Sequence, residues 1–293
     1  TTSWSPYMVV LRNLGTEEEQ GRLFGISDAM RNVFSAIAGY LFICIFSIFA
    51  NEVAGYKGML YASVGLYLIF AVLCLFLIPE IPGCGGEKKE EGASVGMLGA
   101  LKLPGVWLMG LFIFACYTSV ITAVNYLGTY TTQVLGLSAN LSSSLALIRS
   151  YVITIAAGFV GGYLADKSKS KVVFLIYALI GMVAFCVLTP LFDAHIAFTV
   201  VLTMFLSMFA FMLLSTYWSI MGECGIPLAY TAAASGIVSC IGYIPDAFVT
   251  VVIGRWLDAD PLHGFDKMFV WIAAWAVVAL VMAIIIYKRK PKA

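Results

Sequence analysis

The stretch VVFLIYALIGMVAFCVLTPL, residues 172–191, is almost entirely apolar and carries no charged side chain. A helix of about 20 residues rises roughly 30 Å, which is the thickness of the hydrocarbon core of a bilayer. Seven other stretches are similarly long and apolar, so we predict eight transmembrane helices. They cover residues 21–50, 57–79, 106–128, 141–164, 172–191, 196–218, 229–256 and 268–287. The stretches do not alternate between polar and apolar residues, which argues against a transmembrane β-barrel.

The composition agrees with a membrane protein. Hydrophobic residues make up 61% of the 293 residues and charged residues 11%, whereas a soluble domain carries about 25% charged residues. The net charge of +1 offers no basic field that would attract nucleic acid. The seven cysteines form no Cys-x-x-Cys pair, so we expect them to be buried apolar residues. The chain starts at Thr1 without a signal-peptide pattern, and we expect it to be the later part of a longer protein.

The segment 80–92 is rich in Gly, Pro and charged residues, which predicts a flexible linker between the second and third spans. Lys and Arg indicate orientation, because they are retained in cytoplasmic segments of membrane proteins. If the linker is cytoplasmic and the spans alternate, twelve of the 17 Lys and Arg residues are cytoplasmic and three lie on the other side. We therefore predict that the linker and the C-terminus face the cytoplasm.

Charged residues within the spans are candidates for function, because their transfer into lipid is costly. Arg149 and Asp246 lie at similar predicted depths. They could form a structural ion pair, or Arg149 could bind an anionic substrate with Asp246 as its resting partner or as a proton site. Asp28 and Arg31 are three residues apart and share a helix face, where a local ion pair is favoured over a functional role.

Two spans carry polar residues along one face. In the span 229–256, the sequence from Gly242 to Pro245 predicts a break near the middle of the helix, and broken helices often mark transporter sites. In the span 106–128, we expect Asn125 and Tyr126 to line a cavity. Small polar residues on one face, such as Thr118, equally suit helix–helix packing.

The sequence contains no His-Glu-x-x-His, Gly-x-Ser-x-Gly or Walker A pattern. Its two histidines, His195 and His263, fall in predicted outer loops, so we predict no metal site, no cofactor and no catalytic residue. The alternative of a membrane-embedded enzyme acting on lipid would need clustered acids, a metal motif or a nucleophile–base pair.

The loop after the fourth span reads GGYLADKSKSK, residues 161–171. It resembles the cytoplasmic loop motif of the major facilitator superfamily: Gly, three residues, Asp, a basic residue, any residue, Gly, any residue and a basic residue. Gly162, Asp166, Lys167 and Lys171 fit this motif, and Lys169 replaces its second Gly. Residues 21–25 resemble the start of the family's fifth helix. Residues 223–227, 242–246 and 254–258 resemble a bacterial subgroup of nitrate/nitrite-like or anion-symporter permeases.

The resemblance implies an all-α membrane protein with an incomplete facilitator fold, made of helices five to twelve. Residues 1–79 would end the first bundle, 80–105 would be the cytoplasmic linker, and 106–293 would form the second, six-helix bundle with a cytoplasmic tail. The implied function is secondary active transport of a small, anionic solute by alternating access, coupled to a proton or sodium gradient. The expected location is the bacterial cytoplasmic membrane. The complete protein is expected to be a monomer. A truncated chain with no activity of its own is the other interpretation.

The resemblance also implies which residues form the sites. The substrate would contact Arg149, Asp246, Tyr126, Asn125, Tyr217 and Tyr243. The gate on the cytoplasmic side would comprise Asp166, Lys167, Lys171, Gly162 and Arg22. In particular, the family's loop motif would place Asp166 at the start of the first span, near Arg22.

Overall fold

A computed structural model describes residues 4–49, 51–77 and 96–289, and the regular elements in these ranges are all helices. The α-helices are α1 (Trp4–Asn13), α2 (Gln20–Ile48), α3 (Glu52–Leu77), α4 (Met97–Leu101), α5 (Pro104–Gln133), α6 (Ala139–Leu147), α7 (Thr154–Lys167), α8 (Lys171–Leu191), α9 (Ile196–Thr216), α10 (Thr231–Gly242), α11 (Val249–Ala259) and α12 (Pro261–Arg289). Helices suit a chain in lipid, because every backbone amide finds a partner within its own segment.

Eight helical segments of the described chain are long and apolar enough to cross a membrane, which confirms the eight predicted spans. They are Gln20–Ile48, Val53–Phe76, Pro104–Gln133, Asn140–Lys167, Lys171–Leu191, Ile196–Ile220, Leu228–Ala259 and His263–Arg289. The third begins at Pro104, which suits a first helical turn because proline lacks the amide hydrogen that would be unpaired there.

The predicted break in the seventh span is confirmed. Helix α10 ends at Gly242, a 3₁₀ turn covers Ile244–Ala247, and α11 begins at Val249. Pro245 cannot donate a backbone hydrogen bond and its ring crowds the preceding turn, which favours an interruption of the α-helix at this point. The turn places the side chain of Asp246 where the helix is interrupted.

A second irregularity was not predicted. Between α6 and α7, the segment Ile148–Ile153 is π-helical, and it contains Arg149. No Gly or Pro occurs in this segment, so the sequence offers no local signal for the extra residue in the turn.

Residue contacts divide the chain into two compact units. The larger unit contains residues 1–30 and 94–293. In it, α12 packs against α5 and α8, α9 packs against α7 and α8, and α1 packs against α10. Its core consists of buried apolar side chains such as Phe112, Leu175 and Ile272.

The smaller unit contains residues 31–93, of which the structure describes the rest of α2 and all of α3. The rings of Phe46 and Tyr56 meet edge to face at 5.4 Å between the two helices. The predicted flexible linker, residues 80–92, lies outside the described residues, and of the predicted cytoplasmic linker, residues 80–105, the structure describes only residues 96–105. The three predicted domains stay a prediction.

Candidate functional site

Arg149 is buried with unused hydrogen-bonding capacity. The residue is 5% exposed, and its Nη1 donates to Thr203 Oγ1 of α9 at 3.5 Å. Its Nη2 has no hydrogen-bond partner among the described residues. A guanidinium keeps its charge and has five N–H donors, so a buried one needs an anionic partner or water. Arg149 is therefore able to bind an anion, and its π-helical segment is of a kind that occurs frequently at functional sites.

Asp246 belongs to a different cluster, formed with aromatic side chains. Tyr117 of α5 donates a hydrogen bond from its hydroxyl to Asp246 Oδ1 at 3.0 Å, and its ring lies 4.8 Å from that of Tyr243. The Tyr243 hydroxyl is 3.1 Å from that of Tyr217 and accepts from Trp218 Nε1 at 3.1 Å. Asp246 is exposed, so its carboxylate is open to a polar solute or a cation.

The structure does not bring Arg149 and Asp246 together, although they were predicted at similar depth. Asp246 contacts Tyr117, whereas a Cβ added to Gly128 of the same helix would lie 3.8 Å from Arg149 Nη2. The 11-residue separation of Tyr117 and Gly128 corresponds to about 16 Å along the helix. Within the described residues, Arg149 and Asp246 share no ion pair.

The polar side chains along α5 divide into two groups. Asn125 is exposed, and Tyr126 donates from its hydroxyl to the carbonyl oxygen of Thr250 at 3.2 Å. Thr118 and Thr122 are fully buried and donate to the carbonyl oxygens four residues earlier in α5. Their hydroxyls are therefore satisfied within α5, and a role in helix packing stays a prediction.

Sequence reasoning missed several aromatic members of the cluster. The ring of Trp4 in α1 lies 5.8 Å from that of Trp218 and 5.3 Å from that of Tyr7. Tyr7 and Ser27 exchange a hydroxyl hydrogen bond of 2.7 Å. In sequence, Tyr117 and Trp218 look like ordinary apolar residues of a span, and only their hydrogen bonds distinguish them.

Glycines allow α2 and α7 to cross at backbone contact. A Cβ added to Gly25 would collide with the carbonyl oxygen of Gly158 and lie 2.8 Å from the Cα of Gly162. A Cβ on Gly162 would in turn lie 2.8 Å from the carbonyl oxygen of Gly21. Small residues four apart on each helix permit this approach, as in other membrane helix pairs.

The predicted contact between Asp166 and the start of α2 is confirmed. Asp166 Oδ2 accepts a hydrogen bond of 2.7 Å from the backbone N–H of Arg22, next to the glycine crossing. A carboxylate at a helix N-terminus is favoured by the helix dipole and by the unpaired amides of the first turn. The Arg22 side chain points elsewhere, to an exposed ion pair with Glu19 at 3.0 Å.

Arg12 strengthens the same side of the larger unit. Its side chain is 2% exposed and donates to Glu17 Oε1 and Thr231 Oγ1, each at 2.9 Å, and to the carbonyl oxygen of Ile226 at 3.2 Å. Lys171 Nζ donates to the backbone carbonyl of Glu17. We call Arg12, Glu17, Arg22, Asp166 and Lys171 the latch.

Lys167 is not part of the latch, although it was predicted with the gate. It is exposed, and its Nζ lies 5.9 Å from the ring centre of Tyr163, its neighbour one helical turn away. Glu223 is close to the latch, since its carboxylate accepts from the Ser170 hydroxyl and from the Lys171 backbone N–H at 2.8 Å.

Two further predictions remain open. Asp28 is buried at 6% exposure and Arg31 is exposed, and their local pairing stays a prediction. In the described residues, His, Cys, Asp and Glu side chains form no group of three that could hold a metal ion.

The sequence and the fold together assign the family. The model of the Major Facilitator Superfamily matches residues 1–248, and the chain belongs to this family. The chain is therefore a membrane transporter by family.

Relatives and a solved structure agree. The inner membrane protein YqcE of Escherichia coli is 24% identical over 289 residues, which cover 95% of this chain and 67% of YqcE. The inner membrane protein YihN of the same organism is 26% identical, over 98% of this chain and 70% of YihN. The crystal structure of the Major Facilitator Superfamily transporter FucP in the outward conformation is similar in fold, with a TM-score of 0.71 and 18% identity. The match covers 97% of this chain and 72% of the FucP chain. This last likeness concerns the fold alone.

Proposed function

We propose that the protein is a secondary transporter that carries a small anionic solute across the membrane by alternating access. The observation that carries the proposal is Arg149, whose guanidinium is buried with Nη2 unpartnered among the described residues. A permanent cation in this setting is stabilised best by an anion that it can bind through two parallel hydrogen bonds.

We assign different roles to Arg149 and Asp246, which lie at different heights along α5. A small solute cannot span the roughly 16 Å of helix between the level of Arg149 and that of Asp246. Arg149 binds the anionic group, whereas the exposed carboxylate of Asp246 takes a proton or sodium ion that couples transport to a gradient. Tyr126, Asn125, Tyr217 and Tyr243 provide polar contacts along the path.

The latch holds one side closed in this proposal. The solute leaves on that side only after Asp166 releases the Arg22 amide and the glycine crossing of α2 and α7 separates. Gly162 and Lys171 act with them, whereas Lys167 lies outside this contact.

The latch side is the cytoplasmic side in our proposal. It carries Lys167, Lys169 and Lys171, and α12 ends on Lys288 and Arg289, as expected for cytoplasmic segments. The relatives named inner membrane proteins support a location in the bacterial cytoplasmic membrane, and a monomer suffices for the mechanism.

Uptake into proteoliposomes tests the role of Arg149. The complete gene product is reconstituted, and labelled nitrate, phosphate and short carboxylates are offered under an imposed proton or sodium gradient. Arg149→Ala should abolish uptake of the transported anion, and Arg149→Lys should retain a fraction, because lysine keeps the charge without the planar fork. Arg255→Ala is the matched control, since Arg255 is exposed near the end of α11. Wild-type uptake in both Arg149 variants would refute the assignment.

A further inference from the structure

A groove opens between the ends of α7, α8 and α9, on the face of α7 that Lys167 occupies. Its cavity volume is about 420 Å³. The lining includes Lys167, Ser168, Phe174, Tyr177, Phe209 and Met212. The groove is apolar apart from the loop end, where Lys167 and Tyr177 are exposed.

We propose that this groove binds an anionic phospholipid of the cytoplasmic leaflet. The phosphate lies against Lys167 Nζ, with the Tyr177 hydroxyl beside it, and the start of one acyl chain packs along Phe174, Phe209 and Met212. The assignment of the leaflet rests on the proposed orientation of the protein.

The charge of Lys167 argues for the headgroup. Its exposed ammonium takes part in no ion pair with a described residue and lies 5.9 Å from the ring centre of Tyr163. Anionic lipids give the cytoplasmic surface a negative potential, and basic pockets between transmembrane helices on that side bind anionic headgroups. Lysine also suits the position, since its stem packs on apolar surface while the ammonium reaches the interface.

The dimensions argue for an acyl chain below the headgroup. Phe174 and Tyr177 lie three and six residues after the start of α8 at Lys171, which places them about 5 to 9 Å from the loop. Phe209 and Met212 lie in the last two turns of the antiparallel α9, at the same end. The apolar lining therefore begins where a headgroup ends and continues into the depth of the hydrocarbon.

The lipid groove and the contact with α2 involve neighbouring residues of α7 that point in different directions. Asp166 faces α2 and bonds the Arg22 amide, whereas Lys167, one position later, lines the groove. Successive helical residues point about 100° apart, so a lipid on Lys167 leaves the Asp166 contact intact.

Photocrosslinking in nanodiscs tests the proposal. The complete gene product is placed in phosphatidylcholine nanodiscs that contain a trace of phosphatidylglycerol with a diazirine in its acyl chain, and crosslinked residues are mapped by mass spectrometry. Phe174, Tyr177, Phe209 and Met212 should be labelled, and Lys167→Ala should lower this labelling about fivefold, as expected for the loss of one lysine near an anionic surface. Lys169→Ala is the matched control, because Lys169 is exposed in the same loop but does not line the groove.

The outcomes separate the possibilities. Equal labelling by a phosphatidylcholine probe in the wild-type protein would overturn the proposal, because it would show apolar contact without headgroup recognition. Equal losses in Lys167→Ala and Lys169→Ala would overturn it as well, because diffuse surface charge would explain them. Lys167→Gln, which keeps the length of the side chain, should behave like Lys167→Ala and replaces it if the shorter variant does not fold. Competition by free inorganic phosphate beyond that of chloride at equal ionic strength would also contradict a lipid site.

Discussion

Arg12 and Arg149 are both buried arginines of the larger unit, but their guanidinium groups differ in how many hydrogen-bond partners the protein provides. Arg12 has three acceptors, the Glu17 carboxylate, the Thr231 hydroxyl and the Ile226 carbonyl, at 2.9 to 3.2 Å. Arg149 donates one side-chain hydrogen bond, to Thr203 at 3.5 Å, and its Nη2 has no hydrogen-bond partner in the described residues.

The difference separates stability from function. A buried charge whose donors are satisfied by the protein holds the fold together, whereas one left unsatisfied costs free energy unless water or a bound anion satisfies it. We therefore expect changes in the latch to alter stability and gating, and changes at Arg149 to alter binding with little loss of stability.

The largest effect is expected at the glycine crossing. In Gly25→Leu the side chain would collide with the backbone of α7, so the crossing must separate or α2 must unfold locally. We expect a loss of about 3 kcal/mol in the free energy of unfolding, the upper range for overpacked cores, measured by denaturant titration in detergent.

Gly39→Leu in the same helix is the control for this change. A Cβ on Gly39 meets nothing within 4 Å among the described residues, so its stability should stay close to wild type. Equal losses in the two variants would mean that the crossing is not the reason for Gly25.

Removal of the satisfied arginine should have the next largest effect. Arg12→Ala leaves the Ile226 carbonyl and the Thr231 hydroxyl without their donor, which should cost about 2 kcal/mol. The Glu17 carboxylate is half exposed and can be hydrated by water in the variant, so the loss of its ion pair adds little to the loss of stability. The same denaturant titration measures the loss, and a stability equal to wild type would show that these hydrogen bonds do not hold the latch.

A smaller effect is expected from Asp166→Ala, which removes the acceptor of the Arg22 amide. Loss of this hydrogen bond should cost about 1 kcal/mol, which corresponds to about a fivefold larger population of the open latch. The measurement is the rate of maleimide labelling at Cys224, with the other cysteines replaced.

Cys224 is suited to this measurement because burial, followed by the nearby charge of Glu223, raises the pKa of its thiol well above the usual range. A raised pKa lowers the thiolate fraction at neutral pH, so labelling of the closed latch is slow. We expect opening of the latch to hydrate the half-buried Cys224 thiol, which should lower its pKa and accelerate the reaction. An unchanged rate in Asp166→Ala would contradict a gating role for Asp166.

The smallest effect is expected from Arg22→Ala. The side chain forms only an exposed ion pair with Glu19, while the backbone N–H that binds Asp166 is kept in any residue but proline. Exposed pairs contribute about 0 to 1 kcal/mol, so both stability and Cys224 labelling should stay near wild type. A loss as large as that of Arg12→Ala would show that the guanidinium of Arg22 matters more than its amide.

The sequence predicted the parts of this molecule that depend on local chemistry. Span length and the absence of charges predicted the eight helices, and the lack of an amide hydrogen at Pro245 predicted the break after Gly242. The contact of Asp166 with Arg22 was reached by the resemblance of the loop motif, since these residues are 144 positions apart.

Contacts between distant segments could not be predicted from local patterns. Nothing in the sequence near Arg12 indicates that its guanidinium reaches Ile226 and Thr231, more than 200 residues later. The relative height of Arg149 and Asp246 depends on how two helices are offset against α5. A count of residues from the end of each span misses this offset.

Anion-dependent thermal unfolding tests the contrast between the two arginines most directly. The wild type, Arg149→Ala and Arg12→Ala are compared with and without the anion that shifts the wild type most, chosen from nitrate, phosphate, sulfate and short carboxylates. A ligand at 100 times its Kd adds about 2.7 kcal/mol of stability. We predict that Arg149→Ala keeps the midpoint of the anion-free protein and loses the shift, whereas Arg12→Ala lowers the midpoint and keeps the shift. A full anion shift in Arg149→Ala, or no shift of the wild type by any of these anions, would contradict the assignment.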